Sequence, residues 1–422
     1  MRRNEISNLD WVTILIYLMM VAMGWFNIYA VVYDEAAGRS IWDLGLNSGR
    51  QLIFIGASFI IIMVIVIMDL RFYEAFAYVG YGFIVILLVL VPVIGKEVGG
   101  NKAWLGIGSF GVQPSEFAKF ITALAVAKYI ATVGFKMDNF RNQAVLFFII
   151  GLPMALILLQ KDTGTALVFT SFILVFYREG MSPFLIILGV GAAVIFILTL
   201  LVPNQIYLYA GVAVIALVII LLGKKKAWRI AWVTLGACLI SGVIASVDYV
   251  ISDVLKPHQQ NRIKALINPD ADPLGYGWNV TQSKIAIGSG GFWGKGFLEG
   301  TQTKFDFVPE QSTDFIFCTI GEEHGWVGTF LVVSLFVALL LRIVHLAERQ
   351  KNRFTRAYAY GVLVIFFFHF TINIGMTIGL FPVIGIPLPF FSYGGSSLWG
   401  FTVLLFVLLK LDSHRGEVLQ RI

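Results

Sequence analysis

Charge is what this 422-residue chain has least of: Asp, Glu, Lys and Arg make up 13% of it, while 58% is hydrophobic. Soluble globular proteins carry about 25% charged residues, so composition excludes a water-soluble enzyme. Cysteine is almost absent. Cys238 and Cys318 provide neither a disulfide framework nor a cysteine metal site. Metal and nucleotide motifs are missing too. His324 follows Glu322-Glu323 without a second histidine at helical spacing, and the P-loop-like run Ser289 to Gly296 lacks both its first glycine and its Ser/Thr. Low-complexity tails, a soluble domain and a convincing internal repeat are likewise absent. The net charge of +6 and pI near 9.1 do not point to nucleic acid, because no basic patch is interleaved with aromatics.

What the chain has instead is apolar runs. A helix needs roughly 20 apolar residues to cross a bilayer, and such stretches lie near 11–33, 51–69, 73–94, 115–133, 143–160, 165–179, 182–202, 206–223, 229–250, 326–346, 357–379 and 396–411. With a mean hydropathy of +0.83, this predicts an all-α polytopic membrane protein of about 12 transmembrane helices, one membrane domain over 1–422. The first span exceeds a signal-peptide core and no small-residue cleavage site follows it, so it is expected to stay. An even helix count puts both termini on one side. That side holds Arg71, Lys136, Arg141, Arg178, Lys224 to Lys226, Arg229, Arg349, Lys351, Arg353 and Arg356; the other holds Arg39, Arg50, Lys96, Lys102 and Lys161. Positive charge favours the cytoplasm, so the termini are expected inside and the loop 251–325 outside.

Three segments break the helical pattern. In 95–113, Gly95, Gly99, Gly100, Gly106, Gly108 and Gly111 rule out a regular helix, and Trp104 suits either a membrane interface or a substrate contact. In 379–397, three prolines remove donors and four glycines loosen the backbone. At membrane depth such a segment must be buried in protein or line a wet cavity, since lipid cannot satisfy free amides. The loop 251–325 carries the densest polar chemistry.

Within that loop, Pro273 restrains Asp272 away from the α region and Gly275 permits a tight turn. Asp272 is therefore a catalytic-carboxylate candidate or simply a turn residue, with Asp270 as competitor. Arg262, Lys264, Lys284, Lys295 and Lys304 would suit an anionic lipid phosphate, or merely a solvated surface. Glu116 and Lys119 follow Pro114 on one helix face. Intramembrane ionisable groups are functional candidates because they are costly, though a buried structural pair is the alternative. Asp162 reads as a helix cap or a pocket residue.

Several motifs occur together: Gln113-Pro114-Ser115-Glu116-Phe117-Ala118-Lys119, Asp162-Thr163-Gly164-Thr165, Asp272-Pro273-Leu274-Gly275, Lys284 to Gly291, Pro309-Glu310 with Thr313-Asp314-Phe315, and Pro387-Leu388-Pro389 with Ser392-Tyr393-Gly394-Gly395-Ser396. In this order they resemble the SEDS family (shape, elongation, division and sporulation), over nearly the whole chain. Gly294-Lys295-Gly296 and Gly300-Thr301-Gln302 resemble its RodA-like elongation branch more than its FtsW-like division branch. The resemblance implies a bacterial inner-membrane peptidoglycan glycosyltransferase that polymerises lipid II beside a class B penicillin-binding protein, with the aspartate at Asp272 essential. It implies about ten helices of the roughly 20 residues that span a bilayer, so an extra pair is expected between Ser182 and Leu255. Family arginines before Trp104 and before Gln113 are replaced by Ala103 and Val112; Lys102 is a substitute for the first only.

Polymerisation requires a base for the attacking sugar hydroxyl and neutralisation of the departing lipid diphosphate. Asp272 is the expected base, with Lys119, Arg50, Lys284 and Lys295 as cations and Glu116, Asp162 and Ser392 as further substrate contacts. No cofactor is demanded by sequence, although a divalent cation such as Mg2+ would assist. The alternatives are a lipid transporter or flippase using Glu116, Lys119 and the broken 379–397 hairpin as a midplane site, and a non-catalytic scaffold for a partner enzyme.

Overall fold

The computed structural model of the chain describes residues 8–33, 42–98, 101–107, 110–202, 204–223, 226–249, 260, 276–305 and 307–416. Asp272, its competitor Asp270, Arg262 and Lys264 lie outside the described residues.

Packing divides the chain into two compact units, residues 1–181 with 279–422, and 182–278. The first contains α1 (Trp11–Val32), α2 (Asn47–Ile67), α3 (Leu70–Ile94), α4 (Pro114–Ile130), α5 (Phe140–Leu159), α6 (Thr163–Val168) and α7 (Phe172–Arg178), the last two joined by a 3-10 turn. Local chemistry sets their starts. Asp10, Asp69, Asn139 and Asp162 each accept a backbone N–H at the entry of α1, α3, α5 and α6, satisfying donors that have no intrahelical partner. Pro114 opens α4 at a position where its missing N–H costs nothing.

The second unit holds α8 (Phe184–Leu201), α9 (Ile206–Leu222) and α10 (Ala227–Tyr249), with α10 packed on both others. Not one residue of α9 is buried, which suits a helix whose apolar side chains face lipid tails as apolar as themselves.

The chain continues through α11 (Tyr276–Ser289), α12 (Thr301–Lys304), α13 (Ile316–Glu348), α14 (Arg353–Thr377) and α15 (Gly395–Ser413). In the first unit, α15 packs on α2 and α4, while α14 packs on α4 and α13. The central window of α15 is 83% buried against 17% for α2, so α15 is the core of this unit and α2 an outer wall. Eight helices of the described chain are long and apolar enough to cross a membrane, with shorter apolar helices at Thr163–Arg178, Phe184–Thr199 and Ile206–Leu222. The protein is a predominantly α-helical polytopic membrane protein.

Two features differ from expectation. The glycine-rich 95–113 segment forms a small antiparallel sheet of β1 (Lys96–Val98), β2 (Asn101–Ile107) and β3 (Phe110–Val112) in that order. Gly106 pairs with Gly111, and a side chain at Gly111 would meet the Trp104 ring at 3.1 Å. The glycines that exclude a helix thus admit the indole. Second, α13 begins at Ile316 and bends at Gly325, whose φ is 61°. The apolar run alone starts at Trp326; the preceding turns, carrying Glu322 and Glu323, are helical too.

At one end of the first unit the basic residues are paired. Arg342 and Arg349 reach Asp10 at 2.5 and 3.5 Å, Arg349 also binds Asp412, Arg178 meets Glu348 at 2.8 Å, and Arg353 and Arg356 share Glu179 at 3.1 and 3.3 Å.

Candidate functional site

The broken 379–397 segment exposes Leu380 at its start but enters the protein beyond it, with Ile386, Leu388 and Phe391 fully buried. Every freed backbone group must then find a partner, and neighbouring side chains supply several. Asn373 of α14 donates to the carbonyls of Ile386 and Asp314, both at 2.8 Å. Ser392 accepts from Leu388 N–H at 2.8 Å and donates to the Thr313 carbonyl at 2.5 Å. Tyr393 N–H donates to Ser312 O at 2.8 Å, and Gly394 N–H to Gln51 at 3.2 Å. Ser392 therefore joins the broken segment to the 309–315 loop, using its hydroxyl in both directions.

Asp162 is fixed at a crossing of three motifs. One carboxylate oxygen caps α6 through Thr165 N–H at 3.0 Å; the other accepts from the Gln113 side chain at 2.8 Å. Gln113 N–H in turn donates to Ser396 at 3.0 Å. Beside the cap, a side chain on Gly164 would lie 2.6 Å from the Ile384 carbonyl, so only glycine allows this approach.

Glu116 and Lys119 form a buried pair at 2.9 Å, with side chains 3% and 1% exposed. Lys119 also meets His369 Nε2 at 3.0 Å and sits 4.7 Å above the Phe401 ring. An ammonium has three hydrogens to place, and these three partners take them. The pair joins α4, α14 and α15. His369 belongs to no motif; a lone ionisable residue in an apolar helix was its signal.

The remaining candidates do not join this cluster. Lys295 donates to Glu322 at 2.6 Å and Thr301 at 2.7 Å. Glu322 is fully buried and also accepts from Gln302 N–H, Thr303 N–H and the Thr303 hydroxyl. Lys295 thus ties the 290–303 loop to α13, a role invisible in sequence because its partner is 27 residues away. Arg50, near the start of α2, is exposed and donates to the Leu44 carbonyl at 2.8 Å. Lys284 is an exposed residue of α11 alongside Gly379, where an added side chain would lie 3.9 Å from its Nζ.

A cavity of about 720 Å³ opens beside the 309–315 loop, lined among others by Tyr33, Asn47, Lys304, Glu310 and Ser312. Glu310 holds a left-handed backbone, φ 55°, which costs a non-glycine residue about 1 kcal/mol or more. Its carboxylate accepts from the Thr313 hydroxyl at 2.8 Å. Among the described residues, no group of three or more His, Cys, Asp or Glu side chains is placed to hold a metal ion.

The family model for FtsW, RodA and SpoVE, described as cell cycle proteins, matches residues 10–209 and 193–417. The chain belongs to this family. The peptidoglycan glycosyltransferase RodA of Treponema pallidum is 33% identical, covering 98% of this chain and all of its own. The peptidoglycan glycosyltransferase MrdB of Escherichia coli K12 is 32% identical over 94% of this chain and 93% of its own. Among solved structures, one from a peptidoglycan synthase complex described as coordinating polymerization and crosslinking superposes with a TM-score of 0.70 at 26% identity, covering 97% of this chain and 99% of its own. RodA of Thermus thermophilus shares the fold at a TM-score of 0.62 and 23% identity, over 97% of this chain and 98% of its own. In this FtsW/RodA/SpoVE protein the motifs at Gln113, Asp162, Ser312 to Asp314 and Ser392 to Ser396 are in mutual contact.

Proposed function

We infer that the chain is a peptidoglycan glycosyltransferase of the RodA kind, polymerising lipid II during cell elongation. The near full-length relationship to two peptidoglycan glycosyltransferases carries this reading. The sequence-based topology supports an arrangement with both termini cytoplasmic and the 251–325 loop outside. The similarity to a chain of a polymerising and crosslinking complex supports a class B penicillin-binding protein as partner.

In the proposed reaction, the carboxylate of Asp272 takes the proton of the acceptor sugar's 4-hydroxyl as that oxygen attacks the donor's anomeric carbon. The new carbon–oxygen bond forms as the bond to undecaprenyl diphosphate breaks, with inversion, and the electron pair leaves on the diphosphate. A general base and a neutralised leaving group are the two demands of this step. Exposed Arg50 and Lys284 are the cations proposed to meet the diphosphate, because Lys119 and Lys295 are held by Glu116 and Glu322. The cavity at Tyr33, Lys304 and Glu310 is the proposed entrance for the sugar headgroup. A divalent cation such as Mg2+ is proposed only as an accessory carried by the substrate diphosphate.

A transporter would need Glu116, Lys119 and the broken segment to face a moving headgroup; here Glu116 and Lys119 are buried against each other, and Lys119 meets the Pro387 turn through His369. The test is incubation of purified protein and its cognate class B penicillin-binding protein with lipid II. Glycan strands are expected. Transfer of lipid II between leaflets with no strands would replace this reading with the transporter.

A further inference from the structure

His369 lies on α14, fully buried, and the reaction above does not use it. Its two ring nitrogens face opposite demands. Nδ1 is 3.1 Å from the Pro387 carbonyl, which can only accept. Nε2 is 3.0 Å from the Lys119 ammonium, which can only donate. Neutral imidazole has one donor and one acceptor, so a single arrangement satisfies both: hydrogen on Nδ1, lone pair on Nε2. An imidazolium would point a hydrogen at an ammonium already held by Glu116 at 2.9 Å. Phe401 closes the cage, its ring edge-on to the imidazole at 4.8 Å.

We propose that His369 is a positioning residue, a neutral Nδ1-protonated imidazole that fixes Lys119 and fastens it to the Pro387 turn, so that α4 and the broken segment hold one relative position. The turn it fastens continues into Ser392, which binds the Thr313 carbonyl, and Thr313 belongs to the loop bordering the proposed entrance cavity. A displaced Pro387 turn therefore shifts that border without removing any substrate contact.

Two substitutions cut the two links separately. His369→Gln places an amide oxygen where Nε2 stood, keeping the acceptor for Lys119 and dropping the Pro387 bond. His369→Asn places an amide N–H where Nδ1 stood, keeping Pro387 and dropping the acceptor. At matched thermal stability, either cut undoes the fastening, so His369→Asn and His369→Gln are each expected to lower the kcat of lipid II polymerisation at least tenfold with KM within about threefold. In a Glu116→Gln/Lys119→Met background, where the ammonium is gone, His369→Asn is expected to cost nothing further. A wild-type kcat in either variant, or losses that multiply in that background, would overturn the proposal.

The kinetic arm rests on the glycosyltransferase reading. A second arm does not: nitrogen NMR of histidine-labelled protein in detergent is expected to show one histidine protonated at Nδ1 and bare at Nε2, with the Nε2 signal moving in the Glu116→Gln/Lys119→Met background. An Nε2-protonated or doubly protonated ring would overturn the proposal whatever the enzyme's activity.

Discussion

Gln113 and Asp162, 49 residues apart in sequence, are joined by a 2.8 Å bond from the glutamine amide to one carboxylate oxygen, while the other oxygen caps α6. Removing the carboxylate therefore has two costs. Asp162→Ala loses a helix cap, about 1 kcal/mol, and leaves the Gln113 amide with one partner fewer, about 1–3 kcal/mol. Asp162→Asn keeps an oxygen for the cap and is expected to cost clearly less. Thermal unfolding of the two variants in one detergent checks the order; equal losses would mean that the cap contributes nothing.

Lys295 and Glu322 are unequal partners. Lys295→Met leaves the Glu322 carboxylate with four other donors from Thr301, Gln302 and Thr303. It is expected to destabilise by about 1 kcal/mol, as a partly exposed ion pair does. Glu322→Ala strips every one of those donors at a buried position and is expected to cost about 3–5 kcal/mol. Chemical denaturation followed by tryptophan fluorescence separates them, and an equal or larger loss from Lys295→Met would contradict this account of the loop.

At the opposite end of α13, acid is the probe. Burial opposes ionisation of Asp10, but hydrogen bonds from Arg342 and Thr13 prevail and hold its carboxyl at about 2, below its ordinary 3.8. A depressed folded-state value means that the stabilisation is complete above about pH 4 and is lost as pH falls toward 2. A shift of this size is worth about 2 kcal/mol. Unfolding temperatures of wild type and Asp10→Asn should differ at pH 6 and converge as the pH approaches 2. A constant difference would assign the effect to packing.

Sidedness is tested with single cysteines. In a background carrying Cys238→Ala, Lys304→Cys on the cavity rim should react with a membrane-impermeant maleimide added to intact cells, and Arg415→Cys should react only after lysis. The reverse pattern would invert the proposed topology.

Hydropathy located the helices well, because crossing a bilayer imposes length and apolarity on each segment independently of its neighbours. The predicted stretch 11–33 corresponds to Trp11–Val32, and 396–411 to Gly395–Ser413. What sequence left open was whatever depends on a partner elsewhere in the chain. Glu322 and Glu323 interrupted the apolar run and hid the first turns of α13. Glycine excluded a helix at 95–113 without announcing that its absent side chains make room for Trp104. Lys295 read as a cation for a lipid phosphate or as part of a solvated surface, with no sign of its bond to Glu322, and His369 offered no motif at all. At the candidate site the motifs were legible, but their contacts were not: Gln113 on Asp162, Ser392 on Thr313 and Lys119 on His369 each join segments at least 49 residues apart.

In the proposed reaction this chain forms glycosidic bonds with Asp272 as the base. The most direct measurement is single-turnover polymerisation of lipid II by wild type, Asp272→Asn and Asp270→Asn, each purified with the cognate class B penicillin-binding protein. A general base is worth about 10²- to 10⁴-fold, so Asp272→Asn is expected to slow bond formation by at least a hundredfold with binding of lipid II retained, while Asp270→Asn stays within a few-fold of wild type. Full activity in Asp272→Asn would contradict the mechanism.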